Sequence, residues 1–126
     1  MIDGINIPIY EKAIAFFIEP TLEEFERFYY NNATKITDEE YKNIKTAITE
    51  RNTSGFCMKV KANMYIIYIK KGYKDNASTV IHELYHATNR ILFDAGVIPD
   101  EHNEPWAYLL GWLTKEYVNH IAKLTK

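Results

Sequence analysis

His82-Glu83-Leu84-Tyr85-His86 lies inside a long periodic run that ends near Ala95, and its reading decides the fold. Two histidines four residues apart on a helix project from one face, about one turn apart, so both imidazoles reach a single zinc ion. The glutamate between them sits roughly a hundred degrees round the helix. There it can contact a water held by that ion. Ile81, Leu84, Thr88, Ile91 and Ala95 form the expected buried stripe of this helix, and His82, His86, Asn89 and Phe93 line another face. Asp75, Asn76 or Ser78 is suited to cap its start. Gly96 supplies a left-handed stop, with Pro99 following.

A catalytic zinc site takes three protein ligands and leaves one position for water. The third must come from a helix packed across the histidine face. His102-Asn103-Glu104-Pro105-Trp106-Ala107-Tyr108 opens such a helix, because proline is tolerated in a first turn. Glu104 is the expected ligand, with His102 and Glu101 as competitors. The helix dipole alone also favours a carboxylate at that place. Tyr108, one turn beyond Glu104, is a candidate donor to a developing oxyanion, or a groove wall. Trp106, Leu109, Leu110, Leu113 and Tyr117 read as core, and His102 and His120 as surface histidines. In this scheme zinc acidifies its water, and Glu83 takes the proton and returns it to the leaving amine.

Toward the N-terminus, residues 10–18 read as a strand ended by Pro20. Thr21 with Glu24, and Thr37 with Glu40, each spell a capping box. They predict one helix to about Tyr30, stopped by Asn31-Asn32, and a second to about Arg51 that carries Tyr41, Ile44, Ala47 and Ile48. Phe56 to Lys61 alternates as a half-buried strand. Met64 to Ile69 is almost continuously apolar, which suits a strand buried on both faces or flanking a cleft. Ala62-Asn63 is the length of a tight hairpin turn. A free edge on Met64–Ile69 would pair with an extended peptide. The fold class is α+β in a single domain over residues 1–126, with about three strands, two N-terminal helices and a C-terminal helix pair.

The chain has 126 residues, 47% of them hydrophobic, and a formal net charge of −2. This is one soluble-type core with no electrostatic pull toward nucleic acid or acidic lipid. The aromatic fraction of 14%, with ten tyrosines, is weak support for a binding groove. Cys57 is alone, which excludes an internal disulfide or a Cys-rich zinc site and points to a reducing compartment. On its strand it reads as inert and buried. The start, Met1-Ile2-Asp3-Gly4, lacks signal-peptide character, and no run is long enough to span a bilayer. A cytoplasmic protein with a peptide or protein substrate is expected.

The five-residue motif, together with Asn103-Glu104 opening a later helix, resembles the gluzincin branch of the zincin metallopeptidases. The Glu-Pro-Trp-Ala-Tyr-Leu-Leu segment is similar to small phage and mobile-element proteins with the same motif, including ImmA/IrrE-like peptidases. The resemblance covers roughly residues 64–115. It implies a minimal zincin-like domain, zinc on His82, His86 and Glu104, and Glu83 as general base. Two positions depart from the pattern. Tyr108 stands where thermolysin-like families usually carry an acidic residue, and Tyr85 stands where ImmA-like peptidases often have glycine. Two other functions fit the same residues: a catalytically silent binding protein on this fold, and a hydrolase of a cell-wall amide.

Overall fold

The computed structural model describes residues 1–32, 36–50, 53–60 and 63–124. The elements run β1 (Ile2–Ile7), a 3-10 turn (Pro8–Tyr10), β2 (Lys12–Ile18), α1 (Leu22–Asn31), α2 (Asp38–Glu50), β3 (Gly55–Val60), β4 (Met64–Ile69), α3 (Ala77–Asp94) and α4 (Glu104–Leu124). They make an α+β fold of four helices around a four-stranded mixed sheet of order β1-β2-β4-β3. β1 pairs antiparallel with β2, β2 parallel with β4, and β3 antiparallel with β4. The parallel pair forces a crossover, and α1, α2 and β3 supply it.

The sheet is the middle of three layers. Ile14, Phe16 and Ile18 of β2 and Tyr65, Ile67 and Ile69 of β4 face α3 and α4. Their alternate neighbours Ala15, Phe17, Ile66 and Tyr68 face α1 and α2. β4 therefore has both faces covered and all six residues buried, which explains its unbroken apolar run. Each buried Phe, Ile or Leu contributes about 1.5–3 kcal/mol of transfer free energy.

Local signals account for the helix ends. Thr21 and Glu24 form the reciprocal capping box on α1. Thr37 and Glu40 exchange the same two bonds on α2, at 2.8 and 3.1 Å. A cap of this kind is worth about 1 kcal/mol. Asn76 caps α3 by accepting from the Thr79 amide at 3.1 Å. Gly96, at φ 78°, turns the chain out of that helix. Asp100 Oδ1 then accepts from the amides of His102 and Asn103 and sets the entry to α4. Arg51, Lys61 and Ala62, read as a helix end, a strand end and half of a turn, lie outside the described residues.

Four expectations need correction. The sheet has four strands, because Ile2–Ile7 forms an edge strand that its Asp, Gly and Asn residues disguise. β4 has no free edge, being flanked by β2 and β3; the open edge on that side belongs to β3. On α3 the buried stripe is Val80, Leu84, Ala87, Thr88, Ile91 and Leu92, whereas Ile81 is 40% exposed and Ala95 lies at the surface. His120 is buried, not at the surface: its Nδ1 lies 2.7 Å from Asp3 Oδ2 of β1, and its ring packs on Phe16. No helix among the described residues is long and apolar enough to cross a membrane.

Candidate metal centre

α3 lies on the sheet with Leu84 and Ala87 inward, so its motif residues fall at the edge of that contact and over β3. Helical spacing turns His82 and His86 outward on one face. Their Nε2 atoms converge to 3.1 Å. Two ligands of one tetrahedral zinc, with bonds of about 2.0–2.1 Å, stand roughly 3.3 Å apart. The pair therefore fits two positions of such a site. His82, Glu83 and His86 bring their donor atoms within 4.8 Å of one another.

Glu83 differs from its neighbours in being buried, at 4% exposure. Its Oε1 is 3.7 Å from His82 Nε2, while Oε2 has no hydrogen-bond partner among the described residues. Burial pushes its carboxyl above the ordinary glutamate range, and the two histidines pull the other way. A buried carboxylate with an unpartnered oxygen carries a desolvation cost that only a functional occupant, a proton or a water relieves. Such a group takes up a proton more readily than an ordinary glutamate.

The floor of the site is β3. A Cβ on Gly55 would stand 2.8 Å from the Tyr68 carbonyl oxygen and 3.2 Å from Glu83 Cγ, so only glycine lets the strand approach the motif helix this closely. Cys57, two residues on, shares a small cavity with Glu83 and His86. Burial, with Glu83 adding, pushes its thiol up to about 12, so it is held neutral. The strand's alternation held this signal, because Cys57 and Lys59 must face opposite to Phe56, Met58 and Val60. The sequence around Gly55 carries no sign of the close approach.

The residues expected from the second helix are not gathered in the same way. Glu104 is the first residue of α4, is exposed, and is not part of the His82–Glu83–His86 group. The α4 side chain that meets the histidine face is Trp106, whose Nε1 donates to Asn89 Oδ1 at 2.7 Å. Glu104 lies about 200° round the helix from Trp106. Tyr108 is 77% exposed. His102 and Glu101 contact each other at 3.3 Å on the surface. Tyr117 is buried, its hydroxyl donating to the Lys74 carbonyl at 2.8 Å.

Comparison with known proteins finds no family model, no curated protein and no solved structure that matches this chain.

Proposed function

We propose that this chain is a zinc-dependent hydrolase of peptide bonds built on a minimal zincin-like fold. The observation that carries the reading is the convergence of two exposed imidazole nitrogens beside one buried carboxyl with an unpartnered oxygen. The three-layer arrangement supports it, since it sets the motif helix over an edge strand, β3, whose outer side pairs with no strand among the described residues. A zinc ion, when bound, supplies the positive charge that makes a water acidic at neutral pH and polarises a carbonyl.

The chain's own residues do the rest. His82 and His86 would hold the metal through the converging Nε2 atoms. Glu83 receives the proton of the attacking water and delivers it to the departing amine, which its raised affinity for protons favours. Glu104 is the proposed third ligand. Its support is the docking of α4 on α3 through Trp106 and Asn89, three residues beyond His86. Glu104 is exposed as the first residue of α4, and its ligation requires the entry to that helix to move toward the pair. Tyr108 shares the same side of α4 and is the proposed oxyanion donor.

The test is metal analysis and peptide hydrolysis on matched variants. Wild type binds one zinc. His86→Ala loses it, since one ligand and the site's convergence are gone. Glu83→Gln keeps the zinc and loses hydrolysis by at least about a hundredfold, the size of a general-base contribution. Glu104→Ala weakens zinc binding by tenfold or more. Zinc absent from wild type sinks the reading. Unchanged hydrolysis in Glu83→Gln removes the assigned base. A second reading, a silent binding protein on this fold, is favoured by the separation of Glu104 from the histidines. It predicts zinc retention without hydrolysis of peptides or cell-wall amides.

A further inference from the structure

Arg90 follows His86 by four residues, one turn along α3, and so stands on the same side of the helix. It is exposed and lines the small cavity that contains Glu83 and His86. Among the described residues its guanidinium has no hydrogen-bond or ion-pair partner. Two acidic groups of the same helix, Asp94 and Glu83, are otherwise engaged. Asp94 is held by Tyr65 at 2.5 Å and Lys59 at 3.1 Å, and Glu83 is turned to the histidines.

Arg90 also lines a second, larger cavity, a groove of about 1140 Å³ between the C-terminal half of α3 and α4. Tyr85, Phe93, Trp106 and Leu110 give that groove an apolar wall. The two cavities share Asn89 and Arg90. Asn89 Oδ1 is committed to Trp106, so the free cation at their junction is Arg90.

We propose that Arg90 binds the free C-terminal carboxylate of a peptide substrate, with the large apolar side chain of the terminal residue in the groove. This rests on the peptide-hydrolase reading and names its substrate class. Placement supports it: Arg90 lines the small cavity with Glu83 and His86 and also the apolar groove, so a group it holds lies between the two. A guanidinium offers a carboxylate two parallel bonds, which an amide terminus cannot accept in the same way.

The experiment uses the zinc-loaded full chain and two pairs of probes. N-acetyl-phenylalanine and its carboxamide are titrated by calorimetry, and an N-acylated dipeptide ending in phenylalanine is compared with its amide as substrate. The acid should bind tighter by on the order of 10- to 100-fold, the range of a hydrogen bond to a charged group. Arg90→Ala should erase that preference without changing zinc content or melting temperature, and Arg90→Lys should restore part of it. In hydrolysis the difference should fall mainly on KM. Equal binding of acid and amide, no binding of either, or a preference that survives Arg90→Ala overturns the assignment. Zinc content and the Glu83→Gln variant report separately on the hydrolase reading. A carboxylate preference without hydrolysis therefore sinks the reaction and leaves the Arg90 site standing. Hydrolysis with no preference does the reverse.

Discussion

Gly55→Ala adds one methyl group at the place where β3 and the motif helix come closest. The new Cβ would meet the Tyr68 carbonyl oxygen at 2.8 Å, Glu83 Cγ at 3.2 Å and Thr79 Cγ2 at 3.3 Å. The first contact is with backbone inside the β3–β4 ladder, next to the Gly55–Ile69 pair, so it cannot be relieved by a rotamer change. The strand must shift away from α3, or α3 from the strand. Overpacking of this kind costs about 1–3 kcal/mol. For a domain of this size that corresponds to a fall of roughly 3–10 °C in melting temperature. The displacement also falls on Glu83, the residue whose placement matters most to the proposed chemistry. Denaturant titration should therefore show a lower midpoint at unchanged slope, and the residual native protein should hydrolyse peptide more slowly than its zinc content implies. Gly4→Ala is the control, because the nearest atom to its new Cβ is 3.8 Å away. If Gly55→Ala is as stable as Gly4→Ala, the close approach of β3 to the helix is wrong.

Gly111 sits within α4 with nothing inside 4 Å of an added Cβ, so Gly111→Ala should stabilise by about 0.5–1 kcal/mol, read as a higher denaturant midpoint. Asp94 is held below the usual carboxylate range first by the Tyr65 hydrogen bond, with Lys59 adding to it. Its contribution is therefore present above the ordinary Asp range and lost as pH falls through the depressed value, and Asp94→Asn should flatten the acid limb of a stability–pH curve. Glu83 has the opposite sign: its carboxyl binds a proton more tightly folded than unfolded, so metal-free protein bears a penalty at neutral pH. That penalty eases as pH drops through the raised value, and Glu83→Gln should remove this pH dependence in melts of the apo form. Cys57, with its thiol pushed up to about 12, should resist iodoacetamide at pH 8 in the native protein and react at once in denaturant.

Much of the fold was legible because its signals are local. The two capping boxes and the Gly96 stop depend on residues a few positions apart and form as expected, and of Asp75, Asn76 and Ser78 it is Asn76 that caps α3. The burial of β4 on both faces was legible from its composition, whereas its neighbours in the sheet were not. Strand order depends on contacts between residues far apart in sequence, and no pattern within Met64–Ile69 says whether β2, β3 or solvent lies beside it. β1 escaped notice because its Asp3, Gly4 and Asn6 are weak strand formers, and its order comes from pairing with β2. In the site, the His82–Glu83–His86 group follows from helix periodicity alone. The relation of Glu104 to it depends on how α4 is rotated on α3. That rotation is set by Leu109, Leu113 and Tyr117 in the core and by the Trp106–Asn89 bond. His120 was misread for a related reason, since its partner Asp3 belongs to the strand that went unseen.

With β3 outermost, the peptide groups along one of its sides have no neighbouring strand among the described residues. A row of that kind does not distinguish a guest chain from a twin molecule. On the proposed reading, loading the protein with peptide and keeping it dispersed at high concentration draw on one resource. Occupied molecules should stay monodisperse where empty ones begin to stick, and light scattering with and without a bound peptide reads the difference directly.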